Sequence, residues 1–297
     1  MQNASPMDIA LWLLLAAIWS SSYTVIKIGV TTLDPATLVA SRMLTGSIAT
    51  YAVLKIRGQS LSRKPADWGL YAITGLFGSA LPFLLITYGE QSVDSALAAI
   101  LMGGTPVITV LLVAWFIPQE ALTPRHAIGV AGGLVGVAIL VGPTALSGLG
   151  AQLGGQAAII AAAICYAGTT VIVRRFVTRP PLEMAAGSMI VGTVIISAYA
   201  AGSGASIGAI SLTLPSLGSI LYLGLFSTAS ANLIYFHLVP RLGATRMAQI
   251  NFAVPVGGAL LGVFLLGEAM TTQHLTALIL IVGSVYLGTR KSKPQGH

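Results

Sequence analysis

A pattern of uncommon residues occurs twice in this chain, and the unit that repeats carries an odd number of apolar segments. The tripeptide Gly-Leu-Phe at residues 75–77 recurs at residues 224–226, and Pro106 recurs at the same spacing as Pro255. The tetrapeptide Glu-Ala-Leu-Thr at residues 120–123 recurs at 268–271, with Met in place of Leu. If each unit crosses a membrane an odd number of times, the second copy lies the other way up from the first. The pattern therefore predicts an inverted repeat.

The composition identifies lipid as the main solvent of this fold. Hydrophobic residues make up 55% of the 297 residues and charged residues only 8%, whereas soluble domains contain about 25% charged residues. So few charges cannot cover a protein of this size with a polar shell. The net charge of +7 arises from short clusters between apolar segments and not from one basic face, so we expect no nucleic-acid partner.

Apolar segments of about 18–22 residues, long enough to cross a bilayer, occur ten times. Prolines and polar residues mark the breaks between them, as expected where helices begin. The connections are short and leave no room for a separate soluble domain. The predicted spans are residues 8–28, 36–56, 67–88, 94–116, 125–142, 153–174, 182–201, 215–236, 246–266 and 274–290.

These spans form two groups of five. We predict an all-α integral membrane protein with ten transmembrane helices in two inverted five-helix repeats (5+5), within residues 1–145 and 150–297. If both termini are cytoplasmic, cytoplasmic segments hold 13 of the 15 Lys and Arg residues, and only Lys27 and Arg42 fall toward the outer half. Such a bias toward one side is typical of cytoplasmic loops. We therefore expect a multi-pass protein of the cell inner (plasma) membrane with both termini in the cytoplasm.

Pro106 and Pro255 lie near the middle of the fourth and ninth predicted spans, each beside a pair of glycines. Proline removes an N–H donor and kinks a helix. Packed membrane helices tolerate such residues, but the paired positions favour a second interpretation, in which the prolines are symmetric hinges beside a site near the bilayer midplane. Glu120 and Glu268 stand at span ends, where an interfacial carboxylate before a helix start is a sufficient explanation.

Polar and aromatic residues inside the spans are the candidates for substrate binding, because lipid-facing positions rarely tolerate polar groups. Trp19 and Tyr23 share one helix face. Arg42 is placed either to meet a substrate carboxylate or to extend its charge to the interface. Helix packing is the simpler explanation for any one candidate, but the set predicts an amphipathic cavity for small neutral or zwitterionic solutes. The candidates are Trp19, Tyr23, Arg42, Phe83, Tyr88, Met102, Tyr166, Asn232, Tyr235, Gln249 and Asn251.

Other classes of protein fit the sequence poorly. An intramembrane enzyme needs a metal-binding histidine pair, paired aspartates or a Ser/His dyad within the bilayer, whereas His126 and His274 lie at span ends. A channel needs a selectivity filter or a charged ring. The single cysteine, Cys165, excludes an internal disulfide and any multi-cysteine metal site. We expect no catalytic residues, no metal and no cofactor.

All eight acidic residues fall at or near the ends of predicted spans. Transport coupled to protons or sodium often places a carboxylate near the middle of the membrane. The sequence therefore favours a facilitator or exchanger over a proton antiporter. His237, near the inner end of the eighth span, is the one weak candidate for a proton-binding group.

Several short motifs, taken in order, resemble those of one family. They are Trp-Ser-Ser-Ser-Tyr at residues 19–23, Ser-Arg at 41–42, Pro106 and Glu-Ala-Leu-Thr at 120–123, with the second-copy partners of the last two. In these motifs and in length the chain resembles the EamA-type members of the drug/metabolite transporter superfamily, and among them the YddG-like amino-acid exporters. The resemblance implies export of small neutral metabolites, amino acids including aromatic ones above all, by alternating access through a central cavity.

Alternatives stay open within the same fold, namely export of lipophilic cations and other drugs or of purines, and an intramembrane enzyme is a remote alternative. A sugar-phosphate carrier is disfavoured, because only Lys27 and Arg42 lie where they would hold a phosphate. The two copies differ at the expected binding surface, where Cys-Tyr-Ala-Gly at residues 165–168 replaces Trp-Ser-Ser-Ser at 19–22. We expect a monomer whose partners are a small-molecule substrate and the lipid bilayer.

Overall fold

The computed structural model describes residues 5–93, 95–118, 124–142, 149, 152–203, 213–266 and 271–289, and within these ranges it contains helices and no strands. Residues 94, 120–123 and 268–270, which include Glu120 and Glu268, lie outside the described ranges. In chain order the helices are α1 (Pro6–Gly29), α2 (Pro35–Ile56), α3 (Pro65–Gly89), α4 (Ser95–Met102), α5 (Thr105–Phe116), α6 (Pro124–Val141), α7 (Leu153–Phe176), α8 (Pro181–Gly202), α9 (Leu214–Leu242), α10 (Ala244–Ala248), α11 (Ile250–Leu266) and α12 (Thr272–Thr289).

Six predicted spans are confirmed as helices that are long and apolar enough to cross a membrane: α1, α2, α3, α7, α8 and α9. The other four predicted spans correspond to shorter apolar helices, so the ten-span layout stays a prediction. Two of these four are interrupted, between α4 and α5 at residues 103–104 and between α10 and α11 at Gln249. Pro106 follows the first break and occupies the opening turn of α5, where its missing N–H costs little. Pro255 instead lies inside α11, downstream of the second break.

The starts of several helices follow from local sequence. The Ser5 hydroxyl accepts a hydrogen bond from the Asp8 amide at 3.1 Å, and the Asp8 carboxylate accepts one from the Ser5 amide at 2.9 Å. Asp34 caps α2 by accepting a hydrogen bond from the Thr37 amide at 3.0 Å. These caps satisfy amide groups that have no partner within the helix. They fix the entry of the chain into α1 and α2, the helices that carry Trp19 and Arg42.

Helices α3 and α9 each contain a π-helical turn, at Leu76–Ala80 and Leu223–Ser230. Both turns overlap a copy of the Gly-Leu-Phe tripeptide. A π-helical turn is wider than an α-helical one and often occurs at functional sites. In α9 this turn contains Thr228, whose hydroxyl accepts a hydrogen bond from Arg42 Nε at 3.2 Å. The repeated tripeptide thus marks an irregular helical turn in each copy.

Two glycines of the repeated tripeptide form close contacts between helix backbones. A β-carbon added to Gly75 of α3 would lie 2.4 Å from the carbonyl oxygen of Ser188 in α8. A β-carbon added to Gly224 of α9 would lie 2.9 Å from the carbonyl oxygen of Arg42 in α2. Glycine lets membrane helices approach this closely because it has no side chain. These positions therefore set the distance between α3 and α8 and between α9 and α2.

The packing of helices follows one rule across the two copies. Helix α1 packs against α9 and α11, and its counterpart α7 packs against α3 and α5. Helix α2 packs against α9, and its counterpart α8 packs against α3. The remaining extensive contacts, α2 with α8 and α6 with α12, join each helix to its own counterpart. Exchanging the first copy for the second leaves this pattern of contacts unchanged.

The two ends of the helix bundle carry different polar groups. One end, which we call the Asp8 end, holds Asp8, Glu183 and Arg241. The opposite end, which we call the Glu90 end, holds Lys27 and Glu90. The predicted topology places the Asp8 end in the cytoplasm and the Glu90 end outside.

Candidate functional site

A cavity lined by residues of both copies lies between the helices. Helices α1, α2, α3, α4 and α5 contribute from the first copy, and α7, α9, α10 and α11 from the second. The wall consists of Trp19, Ser22, Tyr23, Ile26, Arg42, Phe83, Ile86, Met102, Thr105, Tyr166, Thr170, Tyr235, Met247, Ala248, Ile250, Asn251 and Val254.

The structure brings eight of the eleven sequence-predicted residues together on this wall, and their part in binding stays a prediction. Several other wall residues, among them Thr105 and Thr170, are not among the residues predicted from the sequence. Thr170 lies four residues after Tyr166 on the same helix face, so helical spacing would have found it. The eight residues are Trp19, Tyr23, Arg42, Phe83, Met102, Tyr166, Tyr235 and Asn251.

Three of the predicted residues do not lie on the wall. Tyr88 is 55% exposed, because it follows Phe83 by five residues and so points about 140° away around the helix. The Asn232 amide donates to the carbonyl oxygen of Thr228 in its own helix at 2.9 Å. Gln249 is fully buried at the break between α10 and α11, and neither of its amide atoms has a hydrogen-bond partner in the described part of the chain.

The two proposed hinge prolines stand beside the cavity without lining it. Pro106 is buried and follows Thr105, which is on the wall, and Pro255 is half-buried and follows Val254, which is also on the wall. Each proline thus lies one residue from the cavity in its own copy. The hinge role itself stays a prediction.

Arg42 is the one charged residue on the cavity wall as the structure describes it. Its side chain is buried, with only 3% of the residue exposed. The guanidinium lies over the Phe83 ring, with 4.0 Å between Cζ and the ring centroid, and Nε donates to Thr228. Within the described residues Arg42 makes no ion pair with a carboxylate. A buried cation without a counter-ion is unfavourable, so this cavity is suited to an anionic group.

Aromatic side chains supply most of the remaining surface. The rings of Trp19 and Tyr235 lie 6.4 Å apart at an angle of 44°. The Tyr235 hydroxyl donates to Thr170 Oγ1 at 2.9 Å, which fixes the orientation of the ring. Tyr23 and Tyr166 extend the aromatic surface on α1 and α7. Such walls favour an apolar or aromatic ligand side chain.

Ion pairs join helices at the Asp8 end. Arg241 of α9 donates from Nε to Asp8 Oδ1 at 2.8 Å and from Nη2 to Asp8 Oδ2 at 3.2 Å. Glu183 of α8 accepts hydrogen bonds from the Tyr71 hydroxyl at 2.5 Å and from Arg179 Nη2 at 2.8 Å. The bond to Glu183 raises the pKa of Arg179. These contacts tie α1 to α9 and α3 to α8 at one end of the bundle.

The Asp8–Arg241 pair yields a prediction about stability. Asp8 is 2% exposed, so replacing Arg241 by alanine leaves a buried carboxylate without its ion-pair partner. We expect Arg241→Ala to lower the free energy of unfolding by about 1–2 kcal/mol, less than for a fully buried pair because the Arg241 side chain is partly exposed. Asp8→Asn keeps a side-chain oxygen that can accept the hydrogen bond from the Ser5 amide and leaves no buried charge without a partner, so it should cost less. Thermal unfolding in detergent measures both, and an equal or larger loss in Asp8→Asn would contradict this account.

Comparison with known proteins gives consistent matches over more than nine-tenths of the chain. The model of the EamA-like transporter family matches twice, at residues 7–142 and 153–290. The chain is 30% identical to "Uncharacterized inner membrane transporter YedA" of Escherichia coli, over 92% of this chain and 87% of that protein. It is 26% identical to the "Probable amino-acid metabolite efflux pump" of Salmonella typhimurium, over 95% of each chain. A protein of known crystal structure, 23% identical, aligns over 95% of this chain and 96% of its own with a TM-score of 0.79, which shows the same fold.

Proposed function

The chain belongs to the EamA-like transporter family, and from that premise we propose that it exports small carboxylate-bearing metabolites, neutral amino acids with aromatic or apolar side chains above all. Membership makes it a membrane transporter, and its six long apolar helices make it a multi-pass one. Export of amino acids is supported by the printed name of the Salmonella relative.

The observation that carries the proposal is the buried Arg42 side chain on an otherwise uncharged wall. Three properties of this residue fit a substrate carboxylate: it is charged, it is removed from water, and no acidic side chain on the described wall neutralises it. An arginine fork binds a carboxylate through two parallel hydrogen bonds. The aromatic residues then receive the substrate side chain, with Trp19 and Tyr235 at 6.4 Å from each other.

The same wall disfavours export of lipophilic cations. A cavity for organic cations needs a carboxylate, or a cage of aromatic rings with no other cation beside it. The charged group on the described wall, Arg42, is itself a cation. A second positive charge beside Arg42 would be repelled in a site with little water. A purine lacks a carboxylate and would leave Arg42 without its counter-ion.

For the mechanism we propose alternating access by two inverted five-helix repeats. Three observations support it: the contact pattern that is unchanged when the copies are exchanged, the π-helical turns at matching positions, and the family model that matches each half separately. Breaks in the helix lie beside the cavity in both copies, at residues 103–104 and at Gln249. Broken helices at a central site are common in transporters of this architecture.

We further propose that the protein resides in the inner membrane with both termini in the cytoplasm. The name of the Escherichia coli relative supports the membrane. The clustering of Lys and Arg in alternate connections supports the orientation. The halves 1–145 and 150–297 then lie in opposite orientations, and a single chain supplies both walls of the cavity.

Counterflow in liposomes tests the substrate class. Purified protein is reconstituted into vesicles loaded with unlabelled phenylalanine, and entry of labelled phenylalanine is followed. We expect phenylalanine to drive exchange and phenethylamine, which lacks the carboxylate, to compete about 10- to 100-fold less well, as expected for loss of a charge-assisted hydrogen bond. Exchange of labelled tetraphenylphosphonium without exchange of phenylalanine would overturn the proposal.

A further inference from the structure

Glu90 is a buried carboxyl group that the proposed function does not use. It directly follows Gly89, the last residue of α3, and it is 0% exposed. Neither carboxyl oxygen has a hydrogen-bond partner in the described part of the chain. Lys27 Nζ donates to the backbone carbonyl oxygen of Glu90 at 3.1 Å, not to its carboxyl group.

The elements that pack around Glu90 offer little to stabilise a negative charge. From α1, the ionisable groups that face it are Lys27, whose charge is exposed to solvent, and Tyr23. From α7, the contact with the end of α3 is made by Gly155 and Ile159, which carry no ionisable group. A β-carbon on Gly89 would lie 3.0 Å from the Gly155 carbonyl oxygen, so the two backbones leave no room between them. Asp94 lies outside the described residues.

Three physical effects favour the neutral, protonated form of Glu90. Burial removes the water that would solvate a carboxylate, and no donor replaces that water. The C-terminal end of α3 carries a partial negative charge that repels a carboxylate. Burial raises the pKa of Glu90 to about 8, and the charge of Lys27 partly opposes this rise. The group is therefore neutral in the packed arrangement and becomes charged when water reaches it.

We propose that the Glu90 carboxyl group is a proton-binding site that holds the Glu90 end of α3 packed against α1 and α7, and that its ionisation loosens this end. Tyr23 connects the site to transport, because it lines the cavity and packs against the cluster that contains Ile86 and Val93, the buried residues on either side of Glu90. In the predicted topology, the proton enters and leaves on the outer side. This inference concerns the protein alone and does not depend on the identity of the substrate.

The first experiment detects the proton itself in Glu90→Gln, with Asp34→Asn as the control. Asp34 is exposed at the same end and caps α2, and asparagine caps as well as aspartate. At about pH 7, the infrared carbonyl band of a protonated carboxylic acid should be present in the unaltered protein and in Asp34→Asn, and absent in Glu90→Gln. A band equally strong in Glu90→Gln would overturn the proposal.

The second experiment measures opening by hydrogen–deuterium exchange of the peptide that contains residues 85–93. Once this end has opened, Glu90 has its ordinary pKa of about 4.5, so linkage predicts that opening becomes about tenfold more frequent per pH unit between about 4.5 and about 8, relative to Glu90→Gln. The two proteins should match near about pH 4.5, and the difference should be largest, and level, between about pH 8 and about pH 9. Lys27→Gln should move the upper end of this rise to higher pH, since Lys27 lowers the pKa of Glu90. Equal exchange in both proteins at the higher pH would show that ionisation does not loosen this end.

Thermal unfolding supplies a control for folding. A carboxyl group whose pKa is raised by folding binds more protons in the folded state, so stability falls as pH rises from about 4.5 toward about 8 and is level above that. The unaltered protein should show this fall, and Glu90→Gln, which mimics the neutral form, should show less of it while remaining folded. If stability depends on pH equally in both proteins, another group is titrating, and the assignment to Glu90 is overturned.

Discussion

Replacing Arg42 with glutamine is expected to reduce phenylalanine counterflow by about 100-fold, the effect of losing a bidentate charge-assisted interaction worth about 3 kcal/mol. The guanidinium is buried over Phe83 and has no carboxylate partner among the described residues. Its positive charge therefore has no counter-ion there and is available to a substrate, while Nε donates to Thr228. Glutamine places an amide nitrogen where arginine has Nε, so it can keep the hydrogen bond to the Thr228 hydroxyl, but it lacks the charge and the two terminal nitrogens.

Thermal unfolding and a control variant separate a loss of substrate binding from a loss of folding. Because Arg42 is a buried charge without a counter-ion, removing the charge should leave the thermal unfolding temperature unchanged or raise it. Arg57→Gln serves as the matched control, since Arg57 is exposed at the end of α2, and it should exchange phenylalanine normally. Arg42→Lys keeps the charge but loses the fork and should retain part of the activity. Unchanged counterflow in Arg42→Gln would remove the basis for a carboxylate-bearing substrate.

Alanine at Gly75 or at Gly224 is expected to lower the free energy of unfolding by about 2–3 kcal/mol, because overpacking at a close contact forces the backbones apart. At Gly75 the added carbon would meet the Ser188 carbonyl oxygen at 2.4 Å, and at Gly224 it would meet the Thr45 β-carbon at 2.6 Å. Backbone and β-carbon atoms cannot rotate away as the end of a long side chain can. Thermal or denaturant unfolding in detergent measures the effect.

Each of these substitutions has a control in the same helix. Gly69 of α3 and Gly218 of α9 have nothing within 4 Å of an added β-carbon. Alanine at these positions should be neutral or stabilising by up to about 1 kcal/mol, since alanine favours the helix more than glycine does. If Gly75→Ala and Gly69→Ala have equal stability, the close approach of α3 to α8 is not what holds these helices together.

Much of the cavity wall could be predicted from the sequence, because the type of a residue alone indicates whether lipid is an unfavourable environment for it. Arginine and the hydroxyl group of tyrosine are costly to expose to lipid inside an apolar segment, and Arg42 and Tyr235 accordingly face the interior. The direction of a side chain is harder to predict. Tyr88 has the same chemistry as Tyr23 but leaves the wall, since its position around α3 depends on helical phase, which a π-helical turn upstream in the same helix alters.

Other features could not be predicted because they depend on contacts between distant segments. The sequence places Glu90 at a span end, and only the packing of α3 against α7 shows that its carboxyl group is buried. Gln249 was selected for its polarity, but its burial at a helix break depends on the neighbours of α10 and α11. Glu183 similarly gains its partners Tyr71 and Arg179 from two different segments.

The close backbone contacts also constrain how this sequence can change over evolutionary time. Gly75 meets α8 and Gly224 meets α2, so each copy of the tripeptide is confined by a helix of the other copy. A larger residue at either glycine then requires a compensating change in the opposite half, whereas a residue on the cavity wall also borders empty space, which can accommodate a change of size. Selection can therefore alter the binding surface more readily than the contacts between the halves, which accounts for a chain that repeats Gly-Leu-Phe at these contacts but replaces Trp-Ser-Ser-Ser at residues 19–22 with Cys-Tyr-Ala-Gly at 165–168.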